Sequence, residues 1–310
     1  MKNNHTAVTS FILLGFTNRN DILVVLFIIF LLIYVFTLLG NSCIIAVTFF
    51  NNGLHKPMYF FLGNLAFLDI IYSTVIAPKM LSTFLMKDKT ITYSACVVQM
   101  FLFAVLITSE SVLLAIMAYD RYLAICNPLR YPAIMTTRFC TLLVCGAYLN
   151  GLIQSLFHTS FTFHLTFCKT EISYFFCDMP PLLKLSCSDT TINEIILFTF
   201  CGFNEGGSAF VVLISYFFII LSLLKIHSEH GRSKAASTCV SHFLVFILYY
   251  GSLFFIYLRP GSSRSMEADR VASVVYTVAI PMLNPIIYSL RNSDFKASFH
   301  KLLSCRFSLL

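Results

Sequence analysis

MAYDRYLAICNPLRY, residues 117–131, closes a long apolar run with the pair Asp120-Arg121 and leads into a turn at Pro128. An arginine costs about 2.5 kcal/mol or more at the centre of a hydrocarbon layer, so it belongs at an interface or facing a protein interior. Two readings of the pair are open: a solvated helix end, or a switch in which Arg121 is held by its neighbour until another helix moves. The remainder of the chain decides between them.

Of 310 residues, 58% are apolar and only 11% charged, against about a quarter charged in an ordinary soluble domain. The net charge of +7 is spread without a Lys/Arg-rich run, which argues against a nucleic-acid partner. Apolar stretches instead recur near 22–50, 57–86, 94–126, 138–163, 191–225, 234–258 and 269–290. Each approaches or exceeds the roughly 20 residues that a membrane-spanning helix needs. The expectation is an all-α membrane protein, a single seven-helix domain with a polar tail over 1–21 and no second domain or internal repeat. No small-residue cleavage site follows the first stretch, so it reads as a retained helix.

Lys and Arg divide almost evenly between the two sides and barely vote on orientation. Two other features agree with each other. Asn4-His5-Thr6 is the one N-glycosylation pattern and lies in the N-terminal tail. Cys168, Cys177 and Cys187 share one polar loop, on the side where Cys96 begins the third span. Disulfides belong to oxidising compartments. The expected placement is a multi-pass plasma-membrane protein with the N-terminus outside. Cys96 can pair with one of the three loop cysteines, leaving two for a second bridge, and the residues alone leave the connectivity open.

Polar residues inside the spans carry the functional signal. Asp69 lies about 18 Å of helix rise beyond Pro57, and Glu110 about 16 Å before Arg121, so both sit at one depth. Eleven residues is close to three turns, which puts Glu110 and Arg121 on one face of the third span with Phe103, Ile107, Leu114 and Met117. Buried acids avoid lipid, so that face points into the bundle. Either the two acids share a proton, or they hold a cation such as Na+ with help from Asn41, Ser73, Ser111 or Asn284. Glu205, beside Asn204 in the fifth span, reads either as a polar handle for a ligand or as a protonated acid bonded to a neighbouring helix. His242 has no second metal ligand at a suitable spacing, which argues against a transition-metal site. Beyond Arg291, Phe295, Phe299 and Leu302 recur at helical spacing with Lys296 and Lys301, a short amphipathic helix near 292–303. Cys305 offers one acylation point there.

Five stretches together resemble the olfactory receptors, within the rhodopsin-like (class A) G-protein-coupled receptors. They are Pro57 to Leu62, Met117 to Tyr131, Ser215-Tyr216, Lys234 to His242, and Pro281 to Asn292. The resemblance implies an odorant receptor that couples to a Gs/Golf-type G protein and raises cAMP, embedded in membrane lipid and without enzymatic activity. It implies an activation switch of Asp120, Arg121 and Tyr122 with Tyr216, His242, Asn284, Pro285 and Tyr288. It implies a sodium-type site of Asp69, Glu110, Ser73, Ser111 and Asn284, and disulfides Cys96–Cys177 and Cys168–Cys187.

The implied ligand pocket takes Phe103, Ala104, Ile107 and Thr108 from the third span and Phe200, Cys201 and Asn204 from the fifth. Phe254 and Tyr257 come from the sixth, and Tyr276 and Thr277 from the seventh. Phe103 stands where amine receptors of the wider family carry Asp, which argues against a cationic amine and for a small, volatile, weakly polar ligand. A channel or transporter is the rival of another class, since buried acids also mark ion pathways. It requires repeat symmetry or paired broken helices, and the sequence contains neither. No nucleophile–base pair or metal motif supports an enzyme.

Overall fold

The computed structural model describes residues 8–17, 19–54, 56–86, 88–225, 229–258, 266–290, 295, 296 and 299. The helices are α1 (Asn20–Phe50), α2 (Pro57–Leu85), α3 (Tyr93–Cys126), the short α4 (Tyr131–Ile134), α5 (Thr137–Phe163), the short α6 (Met179–Leu183), α7 (Thr191–Leu224), α8 (Glu229–Tyr257), α9 (Met266–Val274) and α10 (Ile280–Leu290). A π-helical turn, Val275–Ala279, joins α9 and α10 into one run. Among the described residues, six helices are long and apolar enough to cross a membrane: α1, α2, α3, α5, α7 and the α9–α10 run. Phe243–Tyr257 of α8 is a shorter apolar helical stretch. The protein is a seven-helix membrane bundle.

Local chemistry explains where the helices begin. Pro57 opens α2 at a position where its missing N–H costs nothing. Thr92 and Thr136 each cap a helix by accepting a backbone N–H at 3.3 Å, from Ala95 and Phe139. Asp189 accepts both the N–H and the hydroxyl of Thr191, at 2.9 and 2.6 Å, at the start of α7. Those bonds hold its carboxyl below the usual carboxylate range.

The centre of the bundle is α3, which packs against α2, α5 and α7. Phe103, Ile107, Glu110, Leu114 and Met117 are all buried along it. The outward faces stay apolar and exposed, as with Leu32, Leu39, Phe203 and Phe210, which suits lipid as solvent. Close approach between helices depends on missing side chains. A Cβ on Gly40 would meet the Pro285 ring at 2.9 Å, so α1 lies directly against α10. A Cβ on Gly151 would meet Ser109 Oγ and the Val105 carbonyl, which fixes how near α5 comes to α3.

The tail over 1–21 holds more structure than its sequence indicated. Ser10–Leu13 forms β1, between β2 (Thr90–Thr92) and β3 (Glu171–Ile172). It pairs antiparallel with β2 through Phe11 and Ile91, and parallel with β3 through Ile12 and Glu171. Phe11 and Leu13 point inward and are fully buried. A strand of four residues has too short an alternation to be distinguished without its partners. Its register here is supplied by segments about 80 and 160 residues away. Arg270 closes the same end by donating to the Gly15 carbonyl at 3.0 Å.

The loop between α5 and α7 carries both disulfides, Cys96–Cys177 and Cys168–Cys187, with Cα separations of 5.5 and 5.7 Å. Its segment from Tyr174 to Leu183 is buried, so it forms a roof that dips into the bundle. Asn4 and most of the stretch near 292–303 lie outside the described residues, as do Cys305 and the side chains of His242 and Tyr288.

Gly151→Val should force α5 away from the backbone of α3, costing about 1–3 kcal/mol by overpacking. The expected result is a lower unfolding temperature and reduced surface display. Gly146→Ala, on the same helix with nothing within 4 Å of the added carbon, should leave both unchanged or slightly improved.

Candidate functional site

Beneath the disulfide-bonded roof lies a cavity of about 60 Å³. From α3 it is lined by Met100, Phe103, Ala104, Ile107 and Thr108, and from α5 by Gln154 and His158. On α7 the lining residues are Leu197, Cys201 and Glu205, and on α8 Leu253 and Tyr257. Asp178 and Met179 come down from the roof. The spacings 197/201/205 and 253/257 are single helix faces, each residue one turn from the next. Most of the wall is apolar, with a few convergent polar groups, the usual make-up of a small-molecule site.

Seven of the expected pocket residues line this cavity: Phe103, Ala104, Ile107, Thr108, Cys201, Glu205 and Tyr257. Five do not. Phe200 packs toward α5, its ring 5.8 Å from Phe157 and 5.7 Å from His158. Asn204 also faces α5, accepting from Asn150 Nδ2 at 2.7 Å and donating to Glu205 Oε1 at 3.1 Å. Phe200 and Asn204 each precede a lining residue by one position, and about 100° of helical rotation turns them out of the cavity. Phe254 follows Leu253 and packs on Tyr250, and Tyr276 is buried behind Phe103 at 6.2 Å. Thr277 donates to the Ser273 carbonyl and lines, with Ser73, a separate small cavity between α1, α2 and the π-helical turn.

Asp178 and His158 were not read from the sequence as site residues. Asp178 follows Cys177, and the bridge to Cys96 brings it over the top of α3; that adjacency was the available signal. The Tyr257 hydroxyl donates to its carboxylate, 3.0 Å from each oxygen. His158 lies on α5, a span in which the sequence singled out no polar residue.

Below the cavity the polar groups continue inward. Tyr249 and Tyr250 donate to the backbone carbonyls of Ile107 and Ser111 at 2.7 and 2.8 Å, locking α8 to α3. Ser111 stands beside Glu205, and Glu110 lies within electrostatic range of both Glu205 and Asp69. Asn284 donates to Asp69 Oδ2 at 3.0 Å, joining α10 to α2. Asn41 instead holds α10 through the Pro281 carbonyl at 3.1 Å. Asp69 Oδ1, Glu110 Oε1, Ser111 Oγ and Asn284 Oδ1 are buried without a hydrogen-bond partner among the described residues. A set of hard, orphaned oxygens including two carboxyls fits a sodium-type ion and fits a shared proton equally.

At the far end of α3, Arg121 lies within electrostatic range of Asp120 without closing an ion pair with it. Asp120 accepts from the Tyr131 hydroxyl at 2.8 Å, and no ion pair joins it to Arg121. The physical reason is helical geometry, because neighbours at i and i+1 point in different directions. Burial, and then the Asp120 charge, push the Tyr131 phenol above its ordinary value, so it stays a donor. Tyr122 packs against Phe218, and Tyr216 against Phe243 and Phe246.

A sequence profile described as olfactory receptor matches residues 30–306. The chain is 48% identical over 303 residues to olfactory receptor 5AR1 of Mus musculus, covering 97% of this chain and 98% of the relative. It is 49% identical over 299 residues to olfactory receptor 5B12 of Homo sapiens, covering 96% and 95%. This chain belongs to the olfactory receptor family. A third relative, olfactory receptor 5AP2 of Mus musculus, is 50% identical over 301 residues, covering 97% of this chain and 95% of its own. Olfactory receptors are class A G-protein-coupled receptors, with odorant ligands and G-protein partners, and they are not enzymes. The protein is thus a multi-pass membrane receptor.

Tyr257→Phe should remove the hydrogen bond to the buried Asp178 carboxylate and destabilise the roof by about 1–3 kcal/mol. Thermal unfolding of purified receptor measures this. In a double-mutant cycle with Asp178→Asn the two effects should be strongly non-additive.

Proposed function

We propose that this olfactory receptor binds a small, weakly polar, volatile molecule in the cavity under the disulfide-bonded roof and activates a stimulatory, Gs/Golf-type G protein, raising cAMP. The N-terminus, with Asn4 glycosylated, faces outside, and the Arg121 end faces the cytoplasm. The observation that carries this reading is the continuous run of buried polar groups from Glu205 through Ser111 and Glu110 to Asp69 and Asn284. It connects the cavity wall to the half of the bundle that holds Arg121.

An agonist shifts the receptor only as far as it binds one state better than the other. Contacts on α7 and α8 at the cavity bias how those helices sit against α3, and Tyr249 and Tyr250 transmit the bias because they hold α3 backbone. At the far end Arg121, with Tyr122, Tyr216, His242 and Tyr288, meets the G protein when α8 moves outward. Asp69, Glu110, Ser111 and Asn284 hold the resting arrangement together, with Ser73 at its edge. A Na+ ion there supplies one positive charge against two buried carboxyls.

In cells expressing the receptor, an odorant panel should contain members that raise cAMP. Arg121→Ala should abolish that response at unchanged surface display; an undiminished response removes Arg121 from the mechanism. Replacing Na+ by choline at constant ionic strength should lower the unfolding temperature of purified receptor by a few degrees, as expected for loss of a stabilising ligand. Asp69→Asn should remove that difference. Should the variant keep the full Na+ dependence, the ion sits elsewhere.

A further inference from the structure

Two polar atoms on residues that line the cavity have no hydrogen-bond partner among the described residues, although the Ser111 hydroxyl stands beside the Glu205 carboxyl. One is Glu205 Oε2, on a side chain 5% exposed; the other is His158 Nδ1, on a side chain 8% exposed. Several other polar atoms of the lining are occupied. Glu205 Oε1 takes the Asn204 amide at 3.1 Å, both Asp178 oxygens take the Tyr257 hydroxyl, and Gln154 donates to Asn150 at 3.2 Å. No Lys or Arg lines the cavity.

A buried polar atom without a partner costs about 1–3 kcal/mol, so a ligand that satisfies it is selected over one that cannot. A carboxylate oxygen only accepts, while an imidazole nitrogen donates or accepts according to tautomer. We infer that the receptor's odorant carries a hydroxyl group, an alcohol or phenol, which donates to Glu205 and accepts from His158, its carbon skeleton against Phe103, Ile107 and Leu253. A hydroxyl is the smallest neutral group that both donates and accepts, and a cavity this small sets the two atoms around one head group. Carbonyl compounds and ethers leave Glu205 unsatisfied. Carboxylic acids bring a further negative charge beside Glu205 and Asp178 with no cation in the lining to offset it. An ammonium donates to Glu205 but has no lone pair with which to accept from His158. This inference deepens the proposed function and rests on the cavity being the odorant site.

The test uses matched alcohol, ketone, methyl ether, amine and carboxylic acid sets, linear and cyclic, from propyl to decyl skeletons, with phenol against anisole. Two readouts run together: cAMP in cells, and thermal stabilisation of purified receptor, which reports binding without coupling. Within any set that responds, the hydroxyl member should act at about tenfold lower concentration than its ketone or ether. Glu205→Gln, which can donate as well as accept, should erase that ratio by improving the ketone and weakening the alcohol. His158→Phe should weaken alcohols and spare ethers, which keeps the inference testable if Glu205→Gln fails to reach the surface.

Equal potency of alcohol and ketone in the unaltered receptor overturns the inference, as does a preference for amines or acids. A uniform loss across all classes in Glu205→Gln, with surface display intact, also overturns it by assigning Glu205 to holding Ser111 alone. Selective stabilisation by alcohols without cAMP leaves the ligand class standing and sinks the coupling. Silence in both readouts sinks the receptor reading and this one with it.

Discussion

A carboxyl group in the middle of a hydrocarbon layer cannot be left facing lipid, and this bundle is arranged around that constraint. Three acids, Asp69, Glu110 and Glu205, are buried on three different helices, and all three turn toward the centre. Turning them inward sets the rotation of α2, α3 and α7 about their own axes. Those rotations in turn decide which apolar faces meet the membrane. The tyrosines at 249 and 250 then bind α8 to carbonyls on α3, which also packs against α2, α5 and α7.

Packing in such a bundle gains little from the hydrophobic effect, since lipid tails are as apolar as leucine. Close approach has to come from small residues, and Gly40 and Gly151 supply it at the two tightest crossings. The bulky residues do the opposite work. Phe103, which lines the cavity, is backed by Tyr276 and the roof residue Phe176 in an aromatic cluster. Glu205, His158, Thr108, Asp178 and Tyr257 supply polar groups to the lining from several elements, which gives the cavity chemical selectivity.

The roof and the N-terminal strand show how covalent constraint and pairing build an edge without length. Cys96–Cys177 fastens the loop to the top of α3, and β1 threads between two segments distant in sequence. Asp178, next along the chain from Cys177, is delivered to Tyr257 by that attachment. Loop and helix so share one hydrogen bond across the mouth of the cavity.

The bundle was legible from the sequence because lipid imposes a length and a composition on each span, and because a buried acid announces which face is inside. The matched depth of Asp69 and Glu110 and the inward stripe on α3 follow from local rules of that kind, while the family was legible from five motif stretches that resemble it. Tertiary structure alone decided the rest. Whether Cys201 or Phe200 faces the cavity turns on 100° of helix rotation, and no composition rule resolves a single residue step. Asp120 went to Tyr131, eleven positions away, since adjacent helical residues diverge. Asp178, His158 and β1 acquired their places from partners far along the chain, so the physical reason they were hidden is that their neighbours exist only once the helices have packed.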